Sequence, residues 1–171
     1  MIYNEGTKEI WCLFCCLSTL AWEKRQLGEV LTINSGRDYK HLEPGKIPVY
    51  GTGGFMLSVS EALSAELDGI GIGRKGTIDK PFILRAPYWT VDTLFYCIPR
   101  EMNNLNFLYS IFTKINWKAL DESTGVPSLS KLTIKNVNAK IPSHSEQTAI
   151  GTFFSQLDRA IALQERTFLK K

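Results

Sequence analysis

Apolar and polar positions follow two different patterns along this chain, and the change falls near residue 143. Between residues 22 and 142 the apolar runs are short and rich in aromatic and β-branched residues, which is strand patterning. Trp22–Val30 leads into Leu31-Thr-Ile33 and then a turn-rich polar stretch, Asn34–Asp38. Ile47-Pro-Val-Tyr50 reads as a short strand, with Pro48 placing it at a sheet edge or a strand start. Gly51-Thr-Gly-Gly54 follows as a loop, and Ile70-Gly-Ile72 and Thr90–Ile98 read as two further strands. Asn103 or Asn104 caps a helix from about Leu105 to Trp117, with Leu105, Leu108, Ile111, Phe112 and Ile115 on one face. The last strand of this region ends at Ile141-Pro142.

Beyond it the period lengthens to that of a helix. Ser143-His-Ser-Glu146 has the form of a capping box, in which Ser143 and Glu146 satisfy orphan amide donors. Apolar residues then recur at Ile150, Phe154, Leu157, Ile161 and Phe168, and Phe153 and Ala160 widen the stripe. Steps of four and three alternate, which is coiled-coil spacing. At ~1.5 Å per residue the helix extends roughly 39 Å, more than a small domain needs to close its core. Such a stripe either folds back onto its own domain or lies against a partner. The terminal position and a polar residue in the seam, Gln164, favour the partner. The expected fold class is therefore α+β: a strand-rich domain followed by one long C-terminal amphipathic helix of coiled-coil type.

Composition narrows the picture modestly. A chain of 171 residues is one domain plus an appendage, and 44% hydrophobic and 22% charged residues are ordinary for a globular protein. A net charge of +3 permits a nucleic-acid partner without requiring one. Its distribution says more: residues 69–100 carry Arg74, Lys75, Lys80, Arg85 and Arg100 against Asp79 and Asp92. Cys12, Cys15 and Cys16 crowd one apolar segment without a second pair or a nearby histidine, so they form neither a zinc pattern nor a disulfide framework. That segment is too short to span a bilayer, and Glu5, Lys8 and Glu9 before it are no basic leader. The expectation is a reduced, cytoplasmic protein whose residues 1–21 form an unassigned extension.

Gly71-Ile-Gly73-Arg-Lys-Gly76 matches the letters of a dinucleotide fingerprint. The fingerprint needs a helix directly after the glycines, and Pro81 would sit inside the second turn of any such helix. Lys75 precedes the last glycine, so no P-loop is present either. The stretch reads better as a tight loop from which Arg74 and Lys75 project. Arginine there can engage a guanine edge bidentately or clamp a phosphate, and lysine supplies a point charge; two solvated cations on a surface turn is the plainer alternative. His41 and His144 are the only histidines, and neither has a serine, cysteine or acid at nucleophile-motif spacing. With no paired-carboxylate or metal-ligand motif either, the chain reads as a binding protein and not a catalyst.

In order along the chain, Trp22–Val30, Tyr50-Gly-Thr-Gly-Gly54, Ile72–Thr77, Val91–Tyr96, Ser123–Ser130, Ile141–Gln147 and Ile150–Asp158 resemble one target-recognition half of the specificity subunit of type I restriction-modification systems. The resemblance covers residues 22–171. It implies that residues 22–142 form a DNA target-recognition domain and that 143–171 form a spacer and dimerisation helix. It also implies that the chain itself is not an enzyme. On that likeness Tyr50, Thr52, Gly53, Gly54, Arg74, Lys75, Thr77 and Lys80 face double-stranded DNA. Ile150, Phe153, Phe154, Leu157, Ile161, Gln164 and Phe168 meet a partner helix. Modification (methyltransferase) and restriction subunits would carry S-adenosylmethionine, ATP and Mg, with none bound by this chain. Full-length members have two recognition domains and two helices, so this half-length form is expected to pair with a second copy or a second half. An alternative is an interaction module that binds the modification subunit without reading DNA.

Overall fold

The computed structural model describes residues 22–168, with side-chain surroundings through residue 165. The expectations about residues 1–21, Cys12, Cys15 and Cys16 among them, and about the side chain of Phe168 lie outside the described residues. Along the chain come β1 (Glu23–Gln26), α1 (Leu27–Val30), β2 (Leu31–Ser35), β3 (Pro44–Gly51), β4 (Gly54–Val59), β5 (Gly69–Gly73) and β6 (Phe82–Leu84). There follow β7 (Trp89–Thr90), β8 (Leu94–Pro99), α2 (Leu105–Lys114), a 3-10 turn (Trp117–Leu120), α3 (Lys131–Asn136), β9 (Asn138–Ile141) and α4 (His144–Phe168).

Four strands in the order β2-β8-β5-β6 make the main, antiparallel sheet. Its alternation follows the strand period: Leu31 and Ile33 turn inward and Thr32 outward. Ile33, Ile70, Ile72, Phe95 and Cys97 pack with Leu27, Phe107, Leu108, Phe112, Trp117 and Ile134 in one core. Cys97 is wholly buried there, and desolvation pushes its thiol up, so it serves as a small apolar residue. A smaller three-stranded sheet, β4-β3-β7, covers Val49, Val59, Trp89 and Val91. β1 and β9 pair separately, with Glu23 opposite Ile141, which carries Trp22 to the start of α4.

Three expected elements come out differently. Thr90–Ile98 is not one strand: Val91–Thr93 break it, because the Val91 amide bonds to Tyr50 O and the Leu94 amide to Val91 O. The chain there leaves the small sheet, where β7 runs parallel to β3, for the large one. Pro48 lies in the central strand of its sheet, not in an edge strand. β7 pairs only with Val49 and Tyr50, so Pro48 still lacks a neighbour on one side and forfeits no ladder bond there. The helix beginning at Leu105, capped by Asn104 Oδ1 accepting from the Phe107 amide, stops at Lys114. Trp117 then turns into the core, and its Nε1 donates to the Phe112 carbonyl at 2.8 Å.

α4 folds back onto its own domain over only part of its length. Its first two turns pack on α2, with Gln147 and Gly151 buried and Ile150 half-buried against the core. From Thr152 to Glu165 every residue is exposed. The capping box forms by half: the Ser143 hydroxyl accepts from the Glu146 amide at 3.4 Å, whereas the Glu146 carboxylate accepts from the Trp22 indole at 3.0 Å. Over 25 residues, at ~1.5 Å each, α4 is a rod of about 37 Å.

Candidate nucleic-acid interface

Gly73 of β5 and Leu94 of β8 lie opposite each other where the two strands finish and start. Beyond Gly73 the chain doubles back so tightly that a side chain there would collide with the Thr77 carbonyl oxygen. Gly76 takes φ 89, a conformation side chains disfavour. Between these two glycines stand Arg74 and Lys75. Both of their amides donate to the Thr93 carbonyl, at 2.8 and 3.3 Å. On the other side the Gly76 amide bonds to Pro127 O and the Leu129 amide to Arg74 O, each at 2.9 Å, so residues 74–76 pair with 127–129.

The second segment is itself tied down. Asp121 Oδ1 accepts from the Ser128 amide at 2.8 Å, the Ser123 amide at 3.0 Å and the Ser123 hydroxyl at 2.9 Å. These donors, Ser128 foremost, hold the carboxyl below the usual carboxylate range. Ser130 then caps α3 by accepting from the Thr133 amide. The β3–β4 turn adjoins the same place: Thr52 Oγ1 lies 3.8 Å from where a Gly76 side chain would begin. Three loops (52–54, 74–76 and 123–129) thus form one platform. A hollow of about 410 Å³ beside it is lined by Arg74, Lys75, Glu122, Ser128 and Lys131 among others.

Main-chain bonds fix the loops and leave the cations outward. Arg74 and Lys75 are exposed, and Arg74 makes only a long 3.4 Å contact with the Asp92 carbonyl. A rigid surface of glycine, serine and threonine with two projecting cations can approach a phosphate or a base edge closely. Of the residues expected to face DNA, Thr52, Gly53, Gly54, Arg74 and Lys75 lie on this platform. Tyr50 sits in an aromatic row with Phe55 and Phe82, ring centroids 6.4 and 5.9 Å away. Thr77 is half-buried over Gly73. Lys80 is exposed beside Asp79, which Lys118 Nζ reaches at 2.8 Å; that hydrogen bond is the main reason the Asp79 carboxyl lies low. Thr93 and Asp121 escaped the sequence reading, although Asp-x-Ser is a recognisable side-chain turn signal. Val126 is an exposed apolar residue on these loops, and Phe55 and Met56 are exposed apolar residues in the adjoining β4.

The helix residues fall into two sets. Ile150 belongs to the seat on α2, whereas Phe153, Leu157 and Ile161 are 62%, 45% and 48% exposed and continue the seam towards exposed Gln164. Phe154 stands between, lining with Ile150, Ile111, Ile115 and Trp22 an apolar groove of about 770 Å³. His41 meets Trp89 edge-on, and His144 Nδ1 hydrogen-bonds the Met102 carbonyl. Among the described residues no group of three or more His, Cys, Asp or Glu is placed to hold a metal, and no helix is long and apolar enough to cross a membrane.

No curated protein matches the chain. Solved structures do. The S subunit of a type I restriction-modification system from M. genitalium aligns over 82% of this chain and 40% of its own, with TM-score 0.68 and 17% identity. A chain from a structure of complex assembly and conformational transition of the type I R-M system aligns over 86% and 40%, with TM-score 0.68 and 16% identity. The HsdS subunit from Thermoanaerobacter tengcongensis aligns over 86% and 40%, with TM-score 0.61 and 17% identity. These likenesses establish the fold, and the chain spans 40% of the length of each structure. The family model for the type I restriction modification DNA specificity domain matches residues 20–170, nearly the whole sequence. With the fold, the loop platform and that match in agreement, the chain belongs to the type I restriction modification DNA specificity domain family.

Proposed function

We propose that this chain reads one half of a split site in double-stranded DNA through its loop platform. In this reading α4 holds the recognition domain against a second copy or a second specificity half. It also offers the docking face for the modification and restriction subunits, which bring S-adenosylmethionine, ATP and Mg. The chain is the address reader, and the chemistry belongs to its partners. The observation that carries the reading is the convergence of the three loops around Arg74 and Lys75. Residues 52–54, 74–76 and 123–129 come together there, held largely by main-chain bonds, while the Arg74 and Lys75 side chains are exposed. Specific recognition needs that combination, because base-edge contacts discriminate only when the donor is held in place.

The test begins with selection of bound duplexes from a randomised pool, followed by titration of the winner. Affinity for it should fall steeply with salt, as expected when cations displace counterions from phosphates. Arg74→Ala should weaken the selected duplex by ~1–3 kcal/mol while changing a scrambled duplex little, if Arg74 reads a base. Equal binding of both duplexes by parent and variant would remove the platform from recognition.

A further inference from the structure

The angle at which α4 leaves the domain is set by a very small seat. Its buried positions lie in the first two turns; beyond them Phe154, Ser155 and Asp158 line a groove with α2, and every residue from Thr152 to Glu165 is exposed. At the centre of the seat is Gln147, 2% exposed and one of three buried polar residues among those described. Its Oε1 accepts from the Asn104 amide at 2.9 Å, at the cap of α2, and its Nε2 donates to the Pro142 carbonyl at 3.0 Å, at the end of β9. One side chain therefore joins the helix below, the strand before and the rod itself.

One turn further on, Gly151 brings the two helices into backbone contact. A side chain there would collide with Asn104 Oδ1 and the Phe107 amide nitrogen, the pair that caps α2. On the flank, Trp22 donates its indole N–H to Glu146 and meets the Phe107 ring edge-on at 6.1 Å. Gln147 and Gly151, one turn apart, hold one face of the helix and Glu146 holds the flank beside it, which limits how the helix can tilt.

Small tilts matter because the rod is a lever. It runs about 25 Å beyond Gly151 at ~1.5 Å per residue, so a tilt of about 10° moves its tip by ~4 Å. One base pair of duplex rises ~3.4 Å along its axis. We infer that Gln147, Gly151 and Trp22 are positioning residues that lock the rod's angle, and so set the number of base pairs allowed between the two half-sites. This rests on the reading that two such domains are held apart by their rods.

The full chain, its Gln147→Ala and Trp22→Phe variants and a Thr152→Ala control are each put through selection from the randomised duplex pool. Each is then titrated with duplexes in which the spacing of the half-sites is stepped one base pair at a time. Trp22→Phe keeps the ring contact but loses the bond to Glu146, so it serves if Gln147→Ala fails to fold. The parent is expected to select two half-sites at one spacing. Both seat variants should select the same half-site sequences but accept spacings shifted or widened by at least one base pair, and Thr152→Ala should match the parent. A single unmoved spacing in the seat variants overturns this inference and leaves the split-site reading intact, as does an equal widening in Thr152→Ala. Selection of an undivided site by the parent overturns both.

Discussion

At the Leu94 end of β8, loops are stitched together by main-chain hydrogen bonds; at the Pro99 end, two helices meet through packed side chains and a buried glutamine. The platform holds its shape with amides and carbonyls: Arg74 to Thr93, Gly76 to Pro127, Leu129 to Arg74. The Asp121 carboxylate adds one side-chain tie, and Arg74 and Lys75 project outward from the loops. The seat of α4 uses Gln147, Ile150 and Trp22 themselves as the fastening, so their identities are bound up with the geometry. A backbone-built surface can exchange side chains and keep its form. A side-chain-built joint changes shape when its residues change. The first arrangement suits reading, and the second suits fixing a distance.

The two regions share one core, and the largest effect should come from damaging it. Phe112→Ala removes a wholly buried ring that packs at 5.2 Å on Trp117, and should cost ~3–5 kcal/mol in stability. Thermal melting and duplex binding should both suffer; a loss confined to one end would show that the ends are more independent than their shared core implies. Next, Gly73→Ala forces the platform loop away from Thr77 and should cost ~1–3 kcal/mol. Duplex affinity should drop with it while the rod's packing, followed by hydrogen exchange at Asn104 and Gln147, stays as in the parent.

The rod offers the converse experiment. Leu157→Asp together with Ile161→Asp changes two exposed positions, so folding stability should move by no more than ~0.5 kcal/mol. Sedimentation should nevertheless show loss of any self-association or of capture of a modification subunit. If association is undiminished, the seam is not the interface.

The smallest effect concerns the tie at Asp121. Because its amide donors hold the carboxyl below its unfolded value, the stabilisation is present above the unfolded value and is lost as pH falls through the folded one. Acidification should therefore loosen the 123–129 loop, and raising the pH from neutral should leave it unchanged. Asp121→Ala should speed amide exchange at Ser123 and Ser128 at neutral pH, barely alter the melting temperature, and flatten that acid dependence. Unchanged exchange in the variant would mean that the pairing with residues 74–76 holds the loop without help.

Much of this was legible residue by residue. The cap at Asn104, the tight glycine loop carrying Arg74 and Lys75, and the long terminal helix all rest on local rules. Steric freedom at glycine, side-chain capping and a repeat of 3.5 residues act within a few positions of the chain. Harder to see was where local signals compete. Thr90–Ile98 has unbroken strand propensity, yet Val91 is drawn off by Tyr50, a partner some forty residues earlier. Glu146 has the position of a capping-box acid, but β1–β9 pairing brings Trp22 within reach, and the indole takes the carboxylate. Asp121 announces a turn in its own sequence but not the strand-like pairing of that turn with residues 74–76.

By itself, then, the sequence determined an α+β chain, its two longer helices with the cap at Asn104, a cationic glycine turn and an amphipathic rod, because propensity and periodicity are properties of neighbouring residues. Only the tertiary structure decided that three distant loops make one surface, and that the rod is buried for two turns and exposed thereafter. Both depend on contacts between residues tens of positions apart, where collision at Gly151 or a buried amide of Asn104 selects one arrangement among many that local rules allow.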